Sequence, residues 1–288
     1  MQITFRQVSH TYQPGSPFQS TALSNIDFTV ESGEFLALIG HTGSGKSTLA
    51  QHINGLLKPT SGQVLIDGSD IHADGYSKKT LRQKVGMVFQ YAEHQLFEET
   101  VEKDIAFGPK NLGLEEAEIA VRVQEAMEKV GLEYDEFKEK SPFELSGGQM
   151  RRVAIAGVLA MRPEVLILDE PAAGLDPMSR EEMLQLIKAL HEKGTTIVMI
   201  SHSMDDVARF ATRAIVLKKG AIAMDGTPAE IFRHADELED MGLDVPVICK
   251  LARDMQKAGL PLEDGIYEED KLYEALLHLW KGGAADAQ

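Results

Sequence analysis

Gly40-His41-Thr42-Gly43-Ser44-Gly45-Lys46-Ser47 sets a lysine and a hydroxyl directly behind a glycine-rich run, in the spacing G-x-x-x-x-G-K-[ST]. Glycines let the main chain curl so that successive N–H groups point inward at an anion. Lys46 adds a mobile positive charge for the β- and γ-phosphates of a nucleotide. The Ser47 hydroxyl, with Thr48 behind it, is a hard oxygen ligand suited to Mg2+. Phe35 to Ile39, just ahead, is an apolar run fit for a buried strand, and Ser47 to Asn54 reads as a helix that Gly55 can end.

Further groups of the same chemistry follow other apolar runs. Val165 to Leu168 ends in Asp169-Glu170, the pattern of a buried parallel strand carrying two carboxylates at its end. Asp169 suits Mg2+, and Glu170 suits the removal of a proton from an attacking water. Phosphoryl transfer asks mainly for such positioning and charge neutralisation. Val85 to Phe89 ends in Gln90, whose amide suits Mg2+ and the lytic water. Thr195 to Ile200 ends in Ser201-His202. A single histidine after a strand is more often structural. Here the shared position of Gly40, Gln90, Asp169 and His202 argues for function, because ligands of open α/β sheets lie beyond the carboxyl ends of parallel strands.

A second glycine-rich start stands at Leu145-Ser146-Gly147-Gly148-Gln149, before another helical run. Ser146 suits its N-cap, and helix N-termini favour anions. The chain thus carries two anion-binding helix starts but only one set of metal- and water-positioning residues. That imbalance points to a nucleotide sandwiched between two such subunits.

Composition narrows the classes. The formal charge of −16 argues against nucleic acid as a partner, since phosphate-backbone binding needs clustered Lys and Arg. Lys78-Lys79, Arg151-Arg152 and Lys218-Lys219 read as solvated surface. The single cysteine, Cys249, allows no internal disulfide and fits a reducing compartment. No apolar stretch approaches the ~20 residues of a membrane span, and Met1 to Arg6 lacks the apolar block of a signal peptide. These features predict a cytoplasmic chain that meets a membrane only through partners.

Residues 1–90 begin with β-like alternation at Ile3, Phe5 and then Val8, and Ser61 to Gly68 reads as a strand between turn glycines. Residues 91–163 read as helix-rich, with Ile119, Val123, Met127 and Val130 at helical spacing. Sheet resumes from Val165 to about Thr227. Beyond residue 233, Leu251, Met255 and Ala258 mark one helix, and Leu272 to Trp280 another, with a disordered tail expected from Gly282-Gly283.

The order of these motifs resembles that of the ATP-binding cassette (ABC) ATPases over residues 1–232. The match implies an α/β fold of the P-loop NTPase (RecA-like) type: a mixed sheet core, an N-terminal antiparallel β subdomain, a helical subdomain at 91–163 and a small helical appendix at 233–288. In that family Gly40–Ser47 corresponds to the Walker A loop, Gln90 to the Q-loop and Leu145–Gln149 to the signature. Leu166–Asp169 corresponds to the Walker B strand, Glu170 to the catalytic glutamate, Ala173–Asp176 to the D-loop and His202 to the switch histidine. Tyr12 is similar to the adenine-stacking aromatic, with a buried strand-end aromatic as the other reading. ATP and Mg2+ are the implied cofactors, with Ser47, Gln90 and Asp169 as the metal set.

Gln90 to Pro109 and the helix from Gln149 to Gly157 further resemble the ATPase components of energy-coupling-factor (ECF) importers, closest to the second ATPase of vitamin-type modules. That resemblance implies a heterodimer with a related ATPase at the cytoplasmic face of the membrane. It also implies contact with a transmembrane T component around Gln90–Pro109, and an S component reached indirectly. A dedicated cobalt or nickel importer is the alternative. Glu93, Glu98 and Glu99 would meet basic residues of the T component or form a solvated face. The appendix would hold the ATPase dimer together or cover its own core. Ala92 and Ala172 depart from the family's usual proline and hydroxyl residue. An ABC ATPase acting on nucleic acid would carry a coiled coil, a zinc insertion or a second cassette, and a non-hydrolysing switch would lack part of the Lys46–Gln90–Asp169–Glu170–His202 set.

Overall fold

The computed structural model describes residues 1–285, with side chains to Lys281. Its first sheet is antiparallel, in the order β2-β1-β4-β5: β1 (Ile3–Tyr12), β2 (Ser20–Val30), β4 (Ser61–Ile66) and β5 (Ser69–Asp70). Alternation along β1 slips between Phe5 and Val8 because the pairing shifts register there. Gln7 sits at the slip with φ 48°. The bulge keeps Ile3, Phe5, Val8 and His10 on the buried face.

The second sheet has six strands in the order β10-β9-β3-β8-β7-β6. These are β3 (Phe35–Gly40), β6 (Val85–Val88), β7 (Val165–Asp169), β8 (Thr196–Ile200), β9 (Arg213–Lys218) and β10 (Ala221–Gly226). All pairings are parallel except β9 with β10. Every residue of β3, β6, β7 and β8 is buried, which is why their sequences run apolar without alternation. Leu38 stands opposite Ile200, and Ile200 opposite Asp169. Val88 stands opposite Leu168. Gly40, His202 and Gln90 each lie two residues past those partners, so the chemistry-bearing residues emerge almost level at one edge of the sheet.

Helices connect the strands. α1 (Lys46–Ile53) follows β3, and α2 (Lys78–Lys84) precedes β6. A helical block of α3 (Val101–Leu112), α4 (Glu116–Lys129), α5 (Tyr134–Phe137) and α6 (Gly147–Leu159) lies between β6 and β7. Ile119, Val123, Met127 and Val130 are buried there together with Ile155 and Leu166. α7 (Pro177–Glu192) leads into β8, and α8 (Met204–Phe210) leads from it into β9. Ala92 is buried in a short 3-10 turn, Ala92–Gln95.

The chain ends in α9 (Pro228–Arg233), α10 (Ala235–Asp240), α11 (Val247–Lys257) and α12 (Glu269–Ala285). Leu243, Val245 and Cys249 join a core with Ala37, Ile39 and Phe232. α11 and α12 meet over a smaller cluster of Ala252, Ile266 and Leu272. The tail expected from Gly282-Gly283 is corrected: α12 carries helical backbone through both glycines to Ala285, and residues 286–288 of that tail lie outside the described residues. Ile167, fully buried in β7, lies across from Met87 and Val198 on the neighbouring strands. Ile167→Ala is expected to lower unfolding free energy by about 2–5 kcal/mol in urea titrations; a loss below about 1 kcal/mol would show that β7 is not the packed centre of the sheet.

Candidate functional site

The glycine loop wraps between β3 and α1. Gly45 has φ 109°, and a methyl group there would lie 2.6 Å from the Ala22 carbonyl oxygen, so the loop presses on β2 at a point that only glycine fits. The first onward helical bond is Leu49 N–H to Gly45 O, 2.8 Å. The amides of the first turn therefore remain available to an anion. Lys46 is buried and folds back over the loop, its Nζ donating to Gly40 O at 2.6 Å and His41 O at 3.0 Å. Burial lowers its pKa, against the pull of Glu170 and Asp169.

A cavity of about 400 Å3 opens above this loop. Thr42, Gly43, Gly45, Lys46, Ser47 and Thr48 line its floor, and Gln90, Asp169, Glu170 and His202 its far wall. Tyr12 stands at the rim, 39% exposed, its hydroxyl 3.1 Å from Thr48 Oγ1. Gly40, His41 and Ser44 belong to the loop behind this lining. Ser44 is buried, and its N–H donates to His41 O at 3.0 Å.

Electrostatics concentrate at the two carboxylates. Burial raises the pKa of Asp169, while a hydrogen bond with Ser47 and the charge of Lys46 oppose the rise. Burial, then neighbouring Asp169, push Glu170 up to about 7. Glu170 has φ 52°, and its N–H donates to Ile200 O at 3.1 Å, which fixes the turn after β7. Its Oε1 is buried without a hydrogen-bond partner among the described residues. His202 Nε2 lies 3.4 Å from that oxygen but is not aligned to donate to it. Burial, then Lys46, lower the His202 pKa, so the imidazole is neutral near pH 7. Ser47 and Asp169 offer hard oxygen donors in mutual contact, and Gln90 adds an amide on the same wall. That donor set fits Mg2+.

The signature residues do not line this cavity. Ser146 and Gly147 are exposed at the start of α6, with Gly148 and Gln149 partly exposed. A capping box holds this terminus: Ser146 Oγ accepts from Gln149 N–H at 3.3 Å, and Gln149 Oε1 accepts from Ser146 N–H at 3.0 Å. Among the described residues no atom stands within 4 Å of the place a Gly147 Cβ would occupy. The predicted site residues therefore divide into a lined cavity and a separate outward-facing helix start.

Arg151 corrects the reading of Arg151-Arg152 as solvated surface. It is buried, with NH1 donating to Ala173 O at 2.6 Å and Pro171 O at 3.2 Å. Its NH2 reaches Gln90 O at 3.4 Å and Glu93 Oε2 at 3.3 Å. One guanidinium thus ties the signature helix to the segments after β6 and β7. Arg152 is also engaged, with Val130 O and Glu182. Lys78 departs from that reading as well, its Nζ donating to Ile71 O at 2.8 Å. Glu93 and Glu99 already have internal partners, Arg151 and Lys103.

Two measurements test this geometry. A folded chain that holds the Glu170 proton more tightly than the unfolded chain is favoured at low pH. That contribution is lost as pH rises from 4.5 to about 7. Glu170→Gln removes the loss, so the variant is expected to gain stability on the wild type, by up to about 3 kcal/mol, as nucleotide-free protein is taken from pH 5 to 8. A pH-independent difference in melting would contradict the burial. Arg151→Lys keeps the charge but not the fork, and is expected to lower ATPase turnover by at least about tenfold; wild-type turnover would show that the brace is dispensable.

Comparison with known proteins gives these features a family. The ABC transporter family model matches residues 23–173. The chain is 54% identical over 280 residues to the energy-coupling factor transporter ATP-binding protein EcfA2 of Clostridium perfringens, covering 97% of this chain and 98% of that protein. It is 58% identical over 262 residues to the protein of the same name from Latilactobacillus sakei, covering 90% of each. Among solved structures it is similar to cbiO1 of Clostridium perfringens, part of the ABC transporter complex cbiONQ, at TM-score 0.74 and 37% identity over 88% of this chain and 98% of that one. It also resembles the dimeric ATP-binding cassette MJ0796 in a post-hydrolysis state with ADP and Pi, at TM-score 0.70 and 33% identity over 78% of this chain and 98% of that one. With relatives matched along almost its whole length, and with a loop, acid pair and signature arranged as its sequence order implies, the chain belongs to the ABC transporter ATPases, among the energy-coupling factor transporter ATP-binding proteins.

Proposed function

We propose that the chain is the ATP-hydrolysing, energy-coupling subunit of an ECF-type importer for vitamins or similar micronutrients. The observation that carries this reading is the division of the site. One cavity gathers Tyr12, the phosphate loop, Gln90, Asp169, Glu170 and His202, while Ser146–Gln149 faces outward on another element. A second ATPase that supplies its own signature would complete this cavity, and this chain's signature would complete the partner's.

In the mechanism Tyr12 stacks on adenine and the loop amides hold the phosphates. Lys46 leaves the carbonyls it now contacts to neutralise the terminal phosphates. Ser47, Asp169 and Gln90 would hold Mg2+, which supplies charge neutralisation at the β- and γ-phosphate oxygens. Glu170 takes a proton from the attacking water as its oxygen bonds to the γ-phosphorus and the bond to the β-phosphate oxygen breaks. His202 donates from its neutral imidazole to the γ-phosphate. A carboxylate poised near neutrality suits this exchange.

Residues 1–232 form the nucleotide-binding unit, with 91–163 as its helical part, and 233–288 serve as an appendix at the dimer. The segment Gln90–Pro109 meets the T component, and the S component is moved through it. Among the described residues no helix is long and apolar enough to cross a membrane, so the membrane path belongs to those partners in this reading. The dimer closes on ATP and reopens after hydrolysis at the cytoplasmic face.

The test uses the chain assembled with its partner ATPase. Lys46→Ala is expected to abolish hydrolysis at this chain's site. Glu170→Gln is expected to retain bound ATP while turnover falls at least about a thousandfold, equivalent to about 4 kcal/mol of barrier. Near-normal turnover in either variant would reject the assigned role.

A further inference from the structure

Tyr12, at the rim of the nucleotide cavity, is held by more than its own strand. Its hydroxyl lies 3.1 Å from Thr48 Oγ1 on α1. His10, two residues back on β1 and so on the same face, meets the Tyr12 ring in a T-shaped pair with centroids 4.6 Å apart and planes at 80°. His10 meets His52 of α1 in the same manner, at 4.7 Å and 75°. His52 is fully buried, and its Nδ1 lies 2.7 Å from Thr48 O, one helical turn back. The contacts therefore close on themselves, from Tyr12 through His10, His52 and Thr48 to Tyr12 again. A carbonyl only accepts, so His52 Nδ1 carries the hydrogen and donates to Thr48 O. His10 Nδ1 likewise donates to Lys58 O at 3.1 Å. Burial pushes the His52 imidazole down to about 4, so the inner ring is neutral near pH 7 and packs as an aromatic. His10 is itself buried, against two rings and with its Nδ1 tied to main chain, which fixes its ring in place.

We propose that His10 is a positioning residue for the base of the bound nucleotide: its ring, set between Tyr12 and His52, fixes the plane of the Tyr12 ring on which adenine stacks. This rests on reading Tyr12 as the adenine platform, and adds that the platform is set before nucleotide arrives. Tyr12 is 39% exposed, so without its neighbours other rotamers would be open to it. Ordering such a side chain on binding costs affinity, and the contacts with His10 and Thr48 remove that cost in advance. His10 does not line the cavity and acts only through Tyr12. Its effect is therefore confined to ligands that carry a base, because the phosphates are held by the loop amides and Lys46.

Binding of two probes to the full chain tests this: a non-hydrolysable ATP analogue, and inorganic tripolyphosphate, which has the phosphates without the base. His10→Ala is expected to weaken analogue binding about fivefold while tripolyphosphate stays within about twofold of wild type. His10→Phe, which restores an aromatic ring, is expected to bring the analogue back to within about twofold. Unchanged analogue affinity in folded His10→Ala, equal losses for both probes, or a loss that folded His10→Phe fails to restore would overturn the proposal. If the variants do not fold, the imidazole proton signals of His10 in the unaltered chain decide. The analogue is expected to shift them and tripolyphosphate to leave them in place; the same response to both probes would overturn the proposal. Tyr12→Ala separates the two levels. Undiminished preference for the analogue in that variant would remove the platform reading and the proposal with it; lost preference there, with His10→Ala silent, rejects only the positioning.

Discussion

Asp169 is buried and Glu170 half-buried beside the buried ammonium of Lys46. Burial makes ionisation costly for both, and for Glu170 the neighbouring Asp169 adds to the cost; Lys46, the Ser47 hydroxyl and His202 offset it. The arrangement exists because four parallel strands bring Gly40, Gln90, Asp169 and His202 to one edge, while tight packing of β7 on both faces leaves its terminal acids nowhere else to go. Among the described residues Glu170 Oε1 has no hydrogen-bond partner, and Lys46 donates to the carbonyls of its own loop.

Two braces carry this local condition outward. Arg151 joins two separated stretches at once: the carbonyls after β7, and the Gln90 carbonyl with the Glu93 carboxylate after β6. One buried guanidinium thus links the catalytic edge, the helix that bears the signature and the turn that begins at Ala92. At the other end of the loop, His41 rests on the 235–249 segment. Phosphate loop, helical block and C-terminal segment are thus in contact across large sequence separations.

Much of this was legible in the residues. Strands buried on both faces read as continuous apolar runs, so Phe35–Ile39, Val165–Leu168 and Thr195–Ile200 could be located and their flanking polar residues assigned to one edge. Ser146 was readable as the N-cap of α6, whereas the answering bond from Ser146 N–H to Gln149 Oε1 came with the structure. Arg151 was not. Next to Arg152 it looks like exposed charge, and only the convergence of distant carbonyls gives its guanidinium a buried home. The slip in β1 shows in sequence only as Val8 falling out of alternation, with nothing to say that Gln7 would take the left-handed backbone. Gly282-Gly283 reads as a helix end on propensity alone, yet α12 continues through it. The contact of His41 with Gly242 joins residues some two hundred positions apart and leaves no local mark.

The central claim is that the triphosphate in one chain's cavity is touched by the other chain's signature. Vanadate trapped with ADP and Mg2+ at the γ-phosphate position, then irradiated, cuts main chain beside it and reports that contact directly. The account predicts cleavage at Ser146 of this chain that persists when its own Lys46 is replaced by alanine, and disappears when the lysine of the partner's phosphate loop is replaced. Cleavage at Ser146 that instead follows this chain's own Lys46, or cuts confined to phosphate loops, would contradict it.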